Sequence, residues 1–203
     1  MSRIKDEVVY EWTIDKSRFI CYLNRAFTEQ EARDYIQQIK KLHPNATHVC
    51  SAFIMGEHNE LHRSSDDGEP SGTAGVPMLE SLKMNEMNDV VAAVVRYYGG
   101  IKLGAGGLIR AYSKSVSEAL KTAAHTQLCL CQNYTITFTY DLIGKIEYFL
   151  NEHQVSIINK EYELEVVYQI RSDNFNLAQE LLELCNGKIK VDINDQQVIE
   201  IDL

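Results

Sequence analysis

Three prolines and one tryptophan occur in 203 residues, and no low-complexity tract is present. That scarcity excludes a Pro-rich stalk or a chain too polar to bury a core. Long hydrophobic runs are also missing. The longest fully apolar stretch is residues 90–95, stopped by Arg96, against the roughly 20 residues needed to span a bilayer. Residues 1–7 have none of the apolar core of a secretory signal. The five cysteines (Cys21, Cys50, Cys129, Cys131 and Cys185) are odd in number and form no spaced framework, which points to a reducing compartment. The expectation is a cytoplasmic protein with no membrane role.

What is there is ordinary globular material: 45% hydrophobic and 24% charged residues, enough for a packed core. The net charge of −9 is unevenly placed. Residues 1–126 hold 15 Lys+Arg against 16 Asp+Glu, whereas residues 127–203 hold 5 against 13. Nine of the eleven glycines also precede residue 127. This contrast predicts two domains, residues 1–127 and residues 131–203. The acidic second one carries the wrong field for gripping a phosphate backbone and suits a protein partner better.

Periodicity places the elements. β-rich stretches cover residues 8–14 and 17–23. A helix starts after Thr28, which forms a capping-box pattern with Glu31, and carries Ala32, Tyr35, Ile36 and Ile39 inward until Pro44. A strand over residues 47–55 turns back through residues 56–59. Residues 63–75 read as a long polar loop, followed by a short helix from Pro77 to about Met87. Residues 89–98 read as a strand buried on both faces. A glycine loop over residues 99–107 then leads into a helix with the stripe Leu108, Tyr112, Val116, Leu120 and Ala123. In the second half, strands and helices alternate as β-α-β-β-α-β. One strand is read through Tyr162, Leu164, Val166, Tyr168 and Ile170, and a closing hairpin is read around Asn194-Asp195. The expected class is α+β, with a ferredoxin-like second domain.

The residues that carry chemistry fall in the two loops. Between Arg63 and Thr73 lie three carboxylates (Asp66, Asp67, Glu69), four hydroxyls (Ser64, Ser65, Ser71, Thr73) and one guanidinium. Such a loop either holds a ligand through oxygens and hydrogen bonds or ties itself together by capping its own backbone. It does not match an EF-hand. In the second loop, Arg96, Lys102 and Arg110 surround Gly99, Gly100, Gly104, Gly106 and Gly107 at the start of a helix. Free N–H groups and the helix dipole favour an anion there; glycines that merely permit close packing are the alternative. Neither a Walker A motif nor a dinucleotide fingerprint is present, since Ile109 stands at the last required position. No cofactor is therefore expected, and the cysteines complete no zinc set.

His48 and Cys50 alternate on one strand. With Asp66 they are candidates for a nucleophilic hydrolase or transferase site, although no protease signature accompanies them. His43, His58, His62, His125 and His153 are scattered and read as exposed. No DNA-specific motif occurs, and the second domain lacks the glycine-aromatic signature of base-stacking RNA modules.

The segments RSSDDGEPSGTAG (residues 63–75) and RYYGGIKLGAGGLIRAY (residues 96–112) resemble the signature segments of the IMPACT family. The His48–Cys50 strand and KSRFI at residues 16–20 are similar to that family's pattern as well. The resemblance covers essentially the whole chain. It implies a first domain with the fold of ribosomal protein S5 domain 2 and a second domain like the last domain of translocation factor G. In eukaryotic relatives it implies translational regulation under amino-acid starvation, through competition for the activator of an initiation-factor kinase. That competition is attributed largely to an additional RWD domain. The resemblance supplies no catalytic residue. The expected role is a translation-associated binding protein, with RNA, the ribosome or a phosphate-bearing ligand held in one cleft. That cleft is built from the two loops of the first domain and charged by Arg96 and Arg110.

Overall fold

The computed structural model describes all 203 residues. They divide into two compact units, Met1–Gln127 with Asp202–Leu203, and Leu128–Ile201. The first unit runs β1 (Ser2–Ile4), β2 (Val8–Ile14), β3 (Ser17–Arg25), α1 (Glu29–Leu42), β4 (His48–Met55), β5 (Leu61–Ser65), α2 (Gly75–Met84), β6 (Val90–Tyr97) and α3 (Gly104–Thr122). Five of its strands form a sheet in the order β2-β3-β6-β4-β5, with every neighbouring pair antiparallel.

The apolar run of β6 has a direct cause. Its even positions Val90, Ala92 and Val94 pack with Phe19, Cys50, Met78 and Tyr112 in a core beneath α2 and α3. Its odd positions Val91, Ala93 and Val95 pack with Tyr22, Phe53, Tyr35 and Ile39 beneath α1. A strand in the middle of a sheet covered on both faces has no solvent side, so the usual alternation disappears. Helix α1 begins as its sequence dictates: Thr28 Oγ1 accepts from Glu31 N–H at 3.2 Å, and Glu31 reaches back to Phe27 N–H at 2.7 Å.

The second unit takes over within β7 (His125–Phe138). It continues through a 3-10 turn (Tyr140–Leu142), α4 (Ile143–Glu152), β8 (Ser156–Tyr162), β9 (Val166–Ser172), α5 (Leu177–Leu184) and β10 (Ile189–Asp202). Strand order is β10-β7-β9-β8, the ferredoxin-like arrangement. Tyr134, Ile136, Phe138, Val166, Tyr168 and Ile170 face Ile146, Leu150, Leu177 and Leu181. The chain is a two-unit α+β protein.

Several local expectations change. Residues 63–65 are not loop but the end of β5. The Asn194-Asp195 hairpin does not form, because β10 runs straight through. Gln132 Nε2 donates to the carbonyls of both residues, and Asn194 donates to Thr135 Oγ1 at 2.9 Å. Side chains of β7 thereby satisfy the polar pair that reads as a turn. The strand read through residues 162–170 is interrupted: residues 163–165 form a hairpin tip between β8 and β9, with Leu164 98% exposed, and only its part from Val166 onward is β9. Helix α2 stops at Met84, and Gly104, Gly106 and Gly107 belong to the first turn of α3 rather than to the loop. Strand β1 carries too few residues to show periodicity and is new. No helix is long and apolar enough to cross a membrane.

Candidate functional site

The acidic loop between β5 and α2 is organised by its own carboxylates. Asp66 accepts from the N–H groups of Gly72 (2.8 Å), Ala74 (3.0 Å) and Gly75 (2.8 Å), so it caps the start of α2, which has no cap of its own. Burial alone raises the pKa of Asp66, but these three donors outweigh it and hold the carboxyl below its ordinary range. Asp67 also pays a burial penalty, offset by Lys40 Nζ at 2.5 Å and Val49 N–H at 2.8 Å, and its pKa is lowered too. A depressed folded-state pKa contributes stability above the unfolded value of about 4 and loses it as pH falls through the folded value. The loop is therefore expected to loosen on acidification below about pH 4, seen as faster amide exchange at Gly72, Ala74 and Gly75. An Asp66→Asn variant should exchange fast at neutral pH as well.

The proposed nucleophilic set does not assemble. Cys50 is fully buried, and its Sγ donates to the Asp66 carbonyl at 2.9 Å. Burial pushes its thiol up to about 12, so the thiolate needed for attack is scarce at neutral pH. His48 bonds elsewhere, through Nδ1 to the Asp67 carbonyl at 2.8 Å. A carbonyl only accepts, so Nδ1 carries the hydrogen and Nε2 faces Glu69 Oε2 at 3.9 Å. In the folded protein Cys129, the one cysteine that is not buried, is expected to react first with a thiol reagent. Cys50 should react only on unfolding, and alkylation of Cys50 at the rate of Cys129 would reverse this assignment. Two of the scattered histidines are half-buried rather than exposed: His43 bridges Tyr22 and Tyr97, and His125 bonds Ser2 and the Leu120 carbonyl.

The centre of the site is a buried ion pair. Arg96, near the end of β6, meets Glu69 from the acidic loop at 2.6 Å, with both side chains almost wholly enclosed. Tyr112 of α3 donates to the same Glu69 oxygen at 2.8 Å, and burial leads in raising its phenol pKa. The guanidinium lies over the rings of Phe19 and Tyr98 at 5.5 and 5.4 Å, and its Nη2 approaches Ser17 Oγ at 3.4 Å. Its Nε–H has no partner in the chain. Glu69, Arg96 and Tyr98 form one wall of a cavity of about 330 Å³, which Pro70, Lys102, Leu103, Gly104, Ala105 and Leu108 complete. No side chain caps α3, and Leu103, Gly104 and Ala105 at its start line the cavity, which leaves the first N–H groups without a side-chain acceptor. Lys102 has no carboxylate partner, whereas the charge of Arg96 is met by Glu69.

The two loops thus do meet, through Glu69 and Pro70 on one side and residues 96–108 on the other. They do not form a single cleft with all the expected residues. Arg63 and Ser65 line a different cavity beside α1. Arg110 is exposed on α3 and does not line the 330 Å³ cavity. Ser71 is exposed, and Thr73 turns its hydroxyl to the Pro70 carbonyl at 2.6 Å. Gly99 and Gly100 shape the approach to α3, and Gly106 and Gly107 sit in its first turn. In sequence Tyr112 belongs to an apolar stripe, yet a buried tyrosine hydroxyl needs a partner, and that is the signal that marks it. Nothing local marks Ser17.

Comparison with known proteins falls on the same residues. A family model described as the Impact N-terminal domain matches residues 15–120, and a second, a domain of unknown function (DUF1949), matches residues 136–188. IMPACT family member YvyE of Bacillus subtilis is 48% identical over 188 residues, covering 91% of this chain and 87% of that protein. The chain belongs to the IMPACT family. Family member YigZ of Escherichia coli is 37% identical over 183 residues, covering 88% of this chain and 90% of its own. A Dictyostelium discoideum protein, an IMPACT homolog, is 34% identical over 99 residues, which is 45% of this chain and 27% of that protein. A crystal structure of a hypothetical protein is similar over 96% of this chain and 97% of its own, at 32% identity and a TM-score of 0.61. The span matched to the Impact domain contains Ser17, His48, Glu69, Arg96, Lys102 and Tyr112, so the buried ion pair and the α3 cavity lie inside the IMPACT domain itself.

Proposed function

We propose that this IMPACT-family protein is a translation-associated binding protein whose first unit seats a phosphate group of RNA in the cavity at the start of α3. One observation carries the reading: an uncapped glycine-rich helix start and an unpaired Lys102 share a cavity with a buried guanidinium whose Nε–H is unpartnered. Backbone N–H groups supply directional donors, the helix dipole and Lys102 supply positive charge, and Glu69 fixes the guanidinium without itself needing solvent. The absence of a usable thiolate at Cys50 favours binding over the nucleophilic alternative.

Co-sedimentation with ribosomes at low and raised salt tests this reading. The wild-type protein is expected to bind in a salt-sensitive manner. Lys102→Glu should weaken binding by at least about ten-fold, the loss expected for one charge-assisted contact, and lower the log-affinity slope against log salt by about 0.7. Binding that ignores both salt and Lys102, or no binding at low salt, would overturn it.

A further inference from the structure

The second cavity of the first unit lies on the opposite face of the sheet. Arg33, Ile36, Gln37 and Lys40 follow one another along one stripe of α1. Below them, Ser51 stands opposite Ser65 and Phe53 opposite Arg63 in the β4–β5 ladder, so these four side chains share a face. Together they enclose about 320 Å³, with three cationic side chains and no carboxylate in the lining.

The three cations are not equivalent. Arg33 is tied to Glu29 and Lys40 to Asp67, each pair at 2.5 Å, which fixes where they stand. Arg63 has no carboxylate partner and spends only one Nη1 bond, on the His62 carbonyl at 3.1 Å. Its remaining donors stay available. Ser51 is 6% exposed, lines the cavity, and makes no side-chain hydrogen bond within the chain. Its hydroxyl is therefore free to donate to a ligand oxygen in the cavity.

We propose that this cavity is a second anion site that takes a phosphate group. Arg63 would supply the planar fork, Lys40 a point charge and Ser51 Oγ–H a short donor from the floor. The site stands independently of the α3 cavity, which uses the other face of the sheet and none of these residues. The phosphate belongs either to a mononucleotide or to an RNA backbone.

Calorimetric titration of the full chain with inorganic phosphate, adenosine monophosphate and a short single-stranded RNA tests the proposal. It is done in a Lys102→Glu background, where the α3 cavity carries a repelling charge. The parent variant is expected to keep phosphate binding. Adding Arg63→Gln should weaken it by about ten-fold or more, the loss of one charge-assisted contact, and adding Ser51→Ala should weaken it measurably with an unchanged melting temperature. Monophosphate binding as tight as RNA identifies the free nucleotide as the source, and a large advantage for RNA identifies the backbone. Loss of all binding in Lys102→Glu alone, or equal affinity with and without Arg63→Gln and Ser51→Ala, would overturn this site while leaving the α3 reading intact.

Discussion

Glu69→Ala is expected to destabilise the first unit by about 3–5 kcal/mol, the cost of removing one partner from a buried ion pair. The substitution strands the Arg96 guanidinium, whose other polar contact is the 3.4 Å approach to Ser17, and it strips the Tyr112 hydroxyl of its acceptor. Both groups lie in the first unit's core region, where water reaches them poorly, so each keeps its desolvation cost and loses its compensation. Urea unfolding followed by near-ultraviolet circular dichroism reads the change. Glu69→Gln should cost less, because an amide oxygen can still accept from Tyr112. Replacing both partners, as Glu69→Leu with Arg96→Met, should recover part of the loss, since no unpaired charge then remains. A loss under about 1 kcal/mol for Glu69→Ala, the level of an exposed pair, would mean that the pair is open to solvent.

Gly99→Ala comes second. The φ angle is not the reason; close approach is. A Cβ at Gly99 would fall 2.0 Å from the carbonyl carbon and oxygen of Lys16 and 2.5 Å from Ser17 N, all backbone atoms. Lys16 sits in the two-residue β2–β3 turn, where Asp15 and Lys16 both have positive φ of 46° and 61°, the geometry that matches the twist of a tight hairpin. Neither segment can yield without breaking that turn or the Gly99 N–H to Ser17 Oγ bond of 3.2 Å. The expected cost is about 1–3 kcal/mol, as for other overpacked sites, together with weaker ligand binding, because the same loop delivers Lys102. Gly144→Ala, where a Cβ meets nothing within 4 Å, is the matched control and should be neutral or better. Equal stability of Gly99→Ala and the parent would contradict the packing described.

The Thr28–Glu31 cap, the two-faced β6 and the β-α-β-β-α-β order follow from local pattern, because capping and burial leave a residue-by-residue trace. The cluster of Glu69, Arg96 and Tyr112 does not, since it joins positions far apart in sequence through a loop whose course depends on Asp66 holding three backbone N–H groups. Sequence alone assigns Arg96 and Arg110 the same charge-supplying role and puts Arg63 in the facing loop of one cleft. The sheet separates them: Arg96 is turned under α3 and neutralised, Arg63 faces α1, and Arg110 remains outside the α3 cavity. At Asn194-Asp195 the polar pair imitates a turn, and only side chains from β7 explain why the strand continues.

The most direct test of the central claim is a phosphate titration of the isotope-labelled protein, followed through the amide signals of Gly104, Ala105, Gly106 and Gly107 and the Arg96 Nε–H. Saturable shifts at these groups, abolished by Lys102→Glu, are the expected result. A titration that leaves all of them in place up to high phosphate would contradict a phosphate seat at the start of α3.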